Sequence, residues 1–520
     1  MKSSREVVLA AVVALACPGL SAQSYDLLLR HGRVADGTGN PSFFADVAIK
    51  DGRIAAIGKI DTTAKAEIDA RGLTIAPGFI DVHTHAEDID ELPLAENFVR
   101  MGVTTVVLGN CGSSVLRVGE FFRRLEATNI SVNVATLIGH GSIRKQAMGG
   151  SFARPPAAGE MAKMKDLVEE AMKDGAVGLS TGLIYLPGVY AKTEEIIDLA
   201  KVAAQFDGIY ASHMRGEGRD IFDSLAEVFR VARKAGIRAE ISHIKLSGPV
   251  AWGQANKVLA RIENARAEGL DITADQYVYT ASSTGIAQLL PEEYRDAARL
   301  RDVLARPEQK ARLIAEMKSS LKSNGRKDYA YAVIASCKYD PSLNGLNIVE
   351  AAKRKHGSAS IASQVQLILE IESRGGASGV FHGISEEDLR KFLAYPNTMF
   401  ASDSGVRRYG EGVPHPRGYG NNARVLARYA RELKLLRLEE AVRRMTSLPA
   451  AAFGLKGRGE VREGNWADLV VFDPEKVQDH ATFNDPHRYA TGFSYVFVNG
   501  VAVVKNDQHT GARPGKTLRH

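Results

Sequence analysis

Two histidines close the apolar run PGFIDVHTH, residues 77–85. His83 and His85 are one residue apart, so on a β-strand both face the same side. Such a pair can hold a metal, bond to neighbours or sit at a polar surface, and alone it does not decide among these. Four other apolar runs end in related chemistry: GVTTVVLGNC in Asn110 and Cys111, GIYASHM in His213, RAEISHIK in His243 and Lys245, and MFASDS in Asp403. Singly, Cys111 reads as a small core residue and each histidine as hydrogen-bonded structure. Together His83, His85, Cys111, His213, His243 and Asp403 form an imidazole, thiolate and carboxylate set that suits zinc. A zinc site with an open position lowers the pKa of water toward about 7 and polarises a carbonyl oxygen. Asp403 is then the natural general base, and hydrolysis of an amide the natural reaction.

These residues meet only if the strands that carry them lie side by side. The strand candidates are LTIAPGFIDVHTH, GVTTVVLGNC, VNVATLIGHG, AVGLSTGLIY, GIYASHM, RAEISHIK, DITADQYVY and MFASDS. Amphipathic stretches such as IFDSLAEVFRVARKAG lie between most of them. Eight strands with intervening helices predict a (β/α)8 barrel, with an open doubly wound sheet as the alternative. Barrel active sites lie at the C-terminal strand ends, where all six groups fall. The short alternating runs of residues 24–72 are matched by GNWADLVVFD and SYVFVNGVAVVKND near the C-terminus. The fold expected is α/β: a TIM-like metallo-hydrolase barrel over 75–455, with a small β-sandwich built from both terminal segments, 23–74 and 456–520. About 120 residues separate QYVY from MFASDS, more than one helix needs. Residues 288–347, charged and helical, are read there as an inserted lid subdomain over the barrel mouth.

The 520 residues are 45% hydrophobic and 25% charged, as in ordinary globular chains. The net charge of +6 is interspersed, without a long basic run, which argues against a nucleic-acid partner. Residues 1–22 carry Lys2 and Arg5, a short apolar run and small residues ending at Ala22, the pattern of a secretory signal cleaved after Ala22. The expected location is periplasmic or secreted, with no lasting membrane insertion. Cys17 stands in ALAC, near a lipoprotein cleavage pattern, although Ala14 fits that pattern poorly. Without Cys17 only Cys111 and Cys337 remain, which is no disulfide framework. Oligomeric state is not legible.

The motifs APGFIDVHTH, GNCG, GAVGLSTGLIYLPG, YASHMRGEG, ISHIKLSG, YVYTASST, HPRGYG and GNWADLVVFDPEKVQDHATFNDPHRY occur in order along the chain. In these the sequence resembles the amidohydrolase superfamily, specifically its D-aminoacylase (N-acyl-D-amino-acid deacylase) group. The resemblance implies a zinc held tightly by Cys111, His213 and His243, with Cys111 where most of the superfamily has a carboxylated lysine. It implies a second, weaker site formed by His83, His85 and Asp403, with Asp403 as base and then as proton donor to the leaving amine. It also implies that Arg417, Lys245, Tyr277 and Ser283 receive the substrate α-carboxylate, with a contribution from Tyr185. His140 is read as supporting structure. The chain departs from the group's usual pattern at Val278 in YVY, in SDSGVRRYG and at Asn421-Asn422 after HPRGYG. These departures leave substrate selectivity open and keep a dipeptide with a C-terminal D-residue, or another amide, as an alternative substrate. A metal- or ligand-binding protein on an inactive fold is the non-enzyme alternative.

Overall fold

The computed structural model describes residues 25–520. The expected signal segment, 1–22, and Cys17 lie outside them. Eight parallel strands form the barrel: Phe79–Asp81, Val103–Leu108, Asn133–Thr136, Gly178–Gly182, Ile209–His213, Arg238–Ile241, Ile272–Gln276 and Thr398–Phe400. The third strand breaks at Leu137 and resumes as Ile138–Gly139. Its first part pairs with the second strand and its continuation with the fourth. A parallel bridge between Thr84 and Ser404 joins the first and last strands. Helices between the strands pack their apolar stripes on the barrel. Ile221–Ala235 buries Ile221, Leu225, Val228, Val231 and Ala232 in the same cluster as Leu179, Tyr210 and Ile241, the stripe expected of a 3.6-residue period.

The first strand candidate, LTIAPGFIDVHTH, splits in two. Thr74–Pro77 joins the terminal sheet and Phe79–Asp81 the barrel. The chain crosses at Gly78, where a Cβ would meet Thr104 Oγ1 at 2.2 Å, so only glycine allows the close approach. The terminal segments share one nine-stranded sheet. Its seam is the antiparallel pairing of Thr74–Pro77 with Leu469–Phe472, and Leu29, Val47, Ile75, Leu469, Val471 and Phe497 fill one core beside it.

The inserted unit is wider than 288–347. Strands Ala281–Gly285, Ser378–His382 and Ala332–Ser336 pair antiparallel, and helices such as Pro307–Ser323 and Ile361–Ser373 pack with them. Ile286, Leu313, Ile334, Leu367 and Ile371 belong to a core separate from that of the barrel. The flanking strands, ASSTG and SGVFH, are too short and polar to show the alternation that reveals a strand. No helix among the described residues is long and apolar enough to cross a membrane.

A buried polar knot fastens the terminal sheet to the barrel. Asp468 pairs with Arg458 and accepts from Asn133 Nδ2 at 3.1 Å and from Asn499 N at 2.7 Å. Asn499 Nδ2 in turn donates to Asn133 Oδ1 at 2.8 Å. Removing one charge leaves the other buried and unpaired. Asp468→Ala should therefore lower stability by about 3 kcal/mol, and Asp468→Leu combined with Arg458→Met should cost less. Denaturant unfolding of both variants checks this ordering.

Candidate metal centre

Three of the six candidate ligands sit where the backbone turns sharply. Cys111, His243 and Asp403 have φ of 53°, 38° and 50°, a region costly for non-glycine residues and concentrated at functional sites. The turns follow directly on strand ends and send side chains into the barrel mouth. Glycines make room for them. A Cβ on Gly182 would meet Cys111 O at 2.0 Å, and one on Gly112 would meet Gly182 N at 2.7 Å. The loop carrying Cys111 therefore lies directly on the fourth strand.

Cys111 Sγ is the centre of the cluster. His83 Nε2 lies 3.3 Å from it, His213 Nδ1 3.4 Å and His243 Nε2 3.6 Å. Around a tetrahedral zinc, with Zn–S about 2.3 Å and Zn–N about 2.0 Å, sulfur and nitrogen stand about 3.5 Å apart. The spacing thus fits shared ligation of one ion. Ligand atoms of His83, Cys111 and His243 fall within 4.8 Å of one another, as do those of His83, His85 and Asp403. His83 belongs to both trios. His85 Nε2 is 3.2 Å and His83 Nε2 3.7 Å from Asp403 Oδ1.

The electrostatics also call for a cation. Burial opposes ionisation of the Cys111 thiol, but the rings of His83 and His213 outweigh it and hold the thiol well below its usual range. Burial likewise opposes the charge on Asp403, yet Arg417 and His83 keep its carboxyl well below the carboxylate norm. Burial disfavours a protonated His83, whereas Asp275, Cys111 and Asp403 draw a proton to it. A metal ion would satisfy the same negative groups without placing protons on ligand nitrogens.

Residues not singled out from the sequence aim the ligands. Asp275, at the end of the seventh strand, accepts from His83 Nδ1 at 2.9 Å and from His243 N at 3.0 Å. The first bond puts the proton on Nδ1 and frees Nε2 for the cluster. Glu217, four residues beyond His213, has Oε1 2.9 Å from His243 Nδ1 and 2.5 Å from Lys245 Nζ. It also forms a trio with His213 and His243. Neither Glu217 nor Asp275 carries a local sequence signal beyond being a carboxylate close to a strand end.

The cluster floors a cavity of about 750 Å³. Tyr185, Lys245, Tyr277 and Ser283 line it beside His85, Cys111, His213, His243 and Asp403. The inserted unit supplies Ser282, Thr284, Leu289, Arg326, Tyr331 and Phe381 to its wall. Tyr277 is fully buried and its hydroxyl has no hydrogen-bond partner. Tyr185 packs edge-on to His213 at 4.9 Å between ring centroids, and its hydroxyl reaches Thr284 Oγ1 at 3.1 Å.

Arg417 stands behind this wall, 2% exposed. Its Nη1 lies 2.9 Å from Asp403 Oδ2 and its guanidinium 4.5 Å from the Tyr277 ring centroid. The Asp403 contact is an ion pair by distance but lacks hydrogen-bond alignment, because Nη1 and Nε are both without a hydrogen-bond partner. His415 fixes the start of Arg417–Arg424, the helix that carries Arg417. Its Nε2 donates to Ala281 O at 2.9 Å and its Nδ1 accepts from Arg417 N at 3.0 Å. His140 lies outside the cluster, bonded through Nε2 to Glu195 at 2.8 Å, a carboxylate it shares with Arg144. Cys337, the other described cysteine, is a free buried thiol.

Residues 66–504 match the amidohydrolase family. A D-aminoacylase of Alcaligenes xylosoxydans xylosoxydans is 37% identical over 95% of this chain and 98% of its own length. A solved D-aminoacylase with a binuclear metal centre, activated by one metal and attenuated by the second, superposes with a TM-score of 0.82 at 34% identity, over 95% of this chain and 100% of its own. The N-acyl-D-glutamate deacylase of Bordetella bronchiseptica, solved with zinc and a phosphonate inhibitor that mimics the tetrahedral intermediate, gives 0.82 at 32% identity over 96% of this chain and 100% of its own. A cysteine-centred ligand cluster at the mouth of a (β/α)8 barrel, and likeness along nearly the whole length, make this chain a member of the amidohydrolase family, in its D-aminoacylase group.

Proposed function

We propose that this chain is a zinc-dependent hydrolase that cleaves N-acyl-D-amino acids to a carboxylate and a free D-amino acid. The observation that carries the reading is the convergence of three imidazole nitrogens on Cys111 Sγ, with Asp403 beside them at the floor of the cavity. Cys111, His213 and His243 would hold the tight ion. His83, His85 and Asp403 would hold a second, weaker one. A divalent ion there supplies polarisation of the amide carbonyl and acidification of a water molecule.

The chain's own groups do the rest. Asp403 stays ionised at neutral pH under the influence of Arg417 and His83, so it can accept the water's proton. The same carboxyl then delivers that proton to the amine nitrogen as the C–N bond breaks. Lys245, Tyr277 and Ser283 supply donors for the α-carboxylate. Arg417, packed on Tyr277 behind the cavity wall with unpartnered nitrogens, would add its fork from behind. Glu217 ties the two halves together, since one carboxylate oxygen steadies both His243 and Lys245.

The cavity gives more room than a single N-acetyl amino acid fills, which favours a dipeptide ending in a D-residue as a second reading. Amine release from N-acetyl-D-, N-acetyl-L- and L,D-dipeptide substrates separates the two. Turnover of the N-acetyl-D compounds supports deacylation, and turnover of the dipeptide alone overturns it in favour of a peptidase. Export through residues 1–22 belongs to the same proposal, and the mature N-terminus of the secreted protein tests it.

Two substitutions test the chemistry. Cys111→Ala should strip the tightly held metal, read as loss of zinc by elemental analysis after dialysis. Asp403→Asn should retain that zinc and lower kcat by about 10³-fold. A protein that only binds ligands would keep its function in this second variant.

A further inference from the structure

The cations around the cavity differ in one respect, the presence of a counter-charge. Lys245 is offset by Glu217, and Arg417 by Asp403. Arg326, on the inserted unit, lines the same cavity and forms no ion pair with any carboxylate among the described residues. Lys145 also lines the cavity without an ion pair, but it is exposed, where solvent screens its charge.

Arg326 is only part-exposed and is held in place. Its guanidinium lies 4.1 Å from the Tyr331 ring centroid, and its Nη2 donates to His382 O at 3.2 Å. That is the one hydrogen bond its side chain makes among the described residues, out of five donors that a guanidinium offers. Gly383 leaves it room, because a Cβ there would stand 3.1 Å from Nη2. Burial lowers the proton affinity of Arg326. A half-buried cation without a partner is costly, and that cost disappears when an anion enters the cavity. A stacked, pre-set fork is the geometry suited to a carboxylate.

Building on the deacylase reading, we infer that Arg326 is a specificity-determining residue that binds a second carboxylate of the substrate, one distinct from the α-carboxylate. The carboxylate would come from the side chain of an acidic D-amino acid or from a dicarboxylic acyl group. Either source presents the same planar anion to the guanidinium. Tyr331 and Phe381, which line the same cavity, can cover the methylene stem of such a group.

The test compares kcat/KM for N-acetyl-D-glutamate, its neutral isostere N-acetyl-D-glutamine, and N-succinyl-D-leucine against N-acetyl-D-leucine, in the zinc-loaded protein and in Arg326→Met and Arg326→Gln. Retained zinc and an unchanged circular dichroism spectrum establish that the variants fold. The preference for the charged member of one pair should collapse by about 30-fold in both variants. Collapse in the glutamate–glutamine pair assigns the carboxylate to the side chain, and collapse in the succinyl–acetyl pair assigns it to the acyl group. If both pairs keep their ratios while the protein still hydrolyses N-acyl-D-amino acids, the role of Arg326 is overturned and the deacylase reading stands. If the unaltered protein hydrolyses none of them, both fall.

Discussion

One buried sulfur sets the terms for the rest of the barrel mouth. A thiolate at Cys111 cannot persist inside a protein without positive charge around it, and three imidazole nitrogens stand within 3.6 Å to share with it the cation that would supply that charge. Each nitrogen comes from a different strand end. The strands must therefore arrive in a fixed register, and the backbone must turn tightly where they stop. The left-handed turns at Cys111, His243 and Asp403 are the local cost of that convergence. The glycines at 112 and 182 let the loop of Cys111 lie against its neighbour. Asp275 and Glu217 fix which ring nitrogen faces inward.

The metal side and the substrate side of the cavity are not independent. Glu217 touches both His243 and Lys245, and Asp403 pairs with Arg417, which packs on Tyr277. A substrate anion that draws on Lys245 or Arg417 changes the field felt by His243 or Asp403. On the proposed reading, binding and chemistry are joined through these ion pairs.

Much of this was legible from strand ends. His83, His85, Cys111, His213, His243 and Asp403 each follow an apolar run, and the period-2 rule together with the barrel's polarity was enough to gather them. The pairing of the two terminal segments was also legible, from their matching alternation. What could not be read were groups whose importance is purely spatial. Asp275 lies inside a quoted strand and Glu217 in a loop, and nothing in their local sequence marks a partner 192 residues away, as His83 is for Asp275. The inserted unit was underestimated because the strands that begin and end it along the chain are short and show no clear alternation. The ion pair of Arg417 with Asp403 was hidden for the same reason as Glu217, since spacing carries no distance in space.

The seam between Thr74–Pro77 and Leu469–Phe472 has a bearing on how the molecule is made. Those partners lie at opposite ends of the chain, with the whole barrel between them. On a ribosome the early strands emerge with their hydrogen-bonding edge bare, and they must wait for the barrel to be synthesised before their mates appear. An open apolar edge of that kind invites pairing with other chains. Closure of the sheet is therefore a late event in the making of the molecule, and until it happens the bare edge is the part of the chain most open to misassembly.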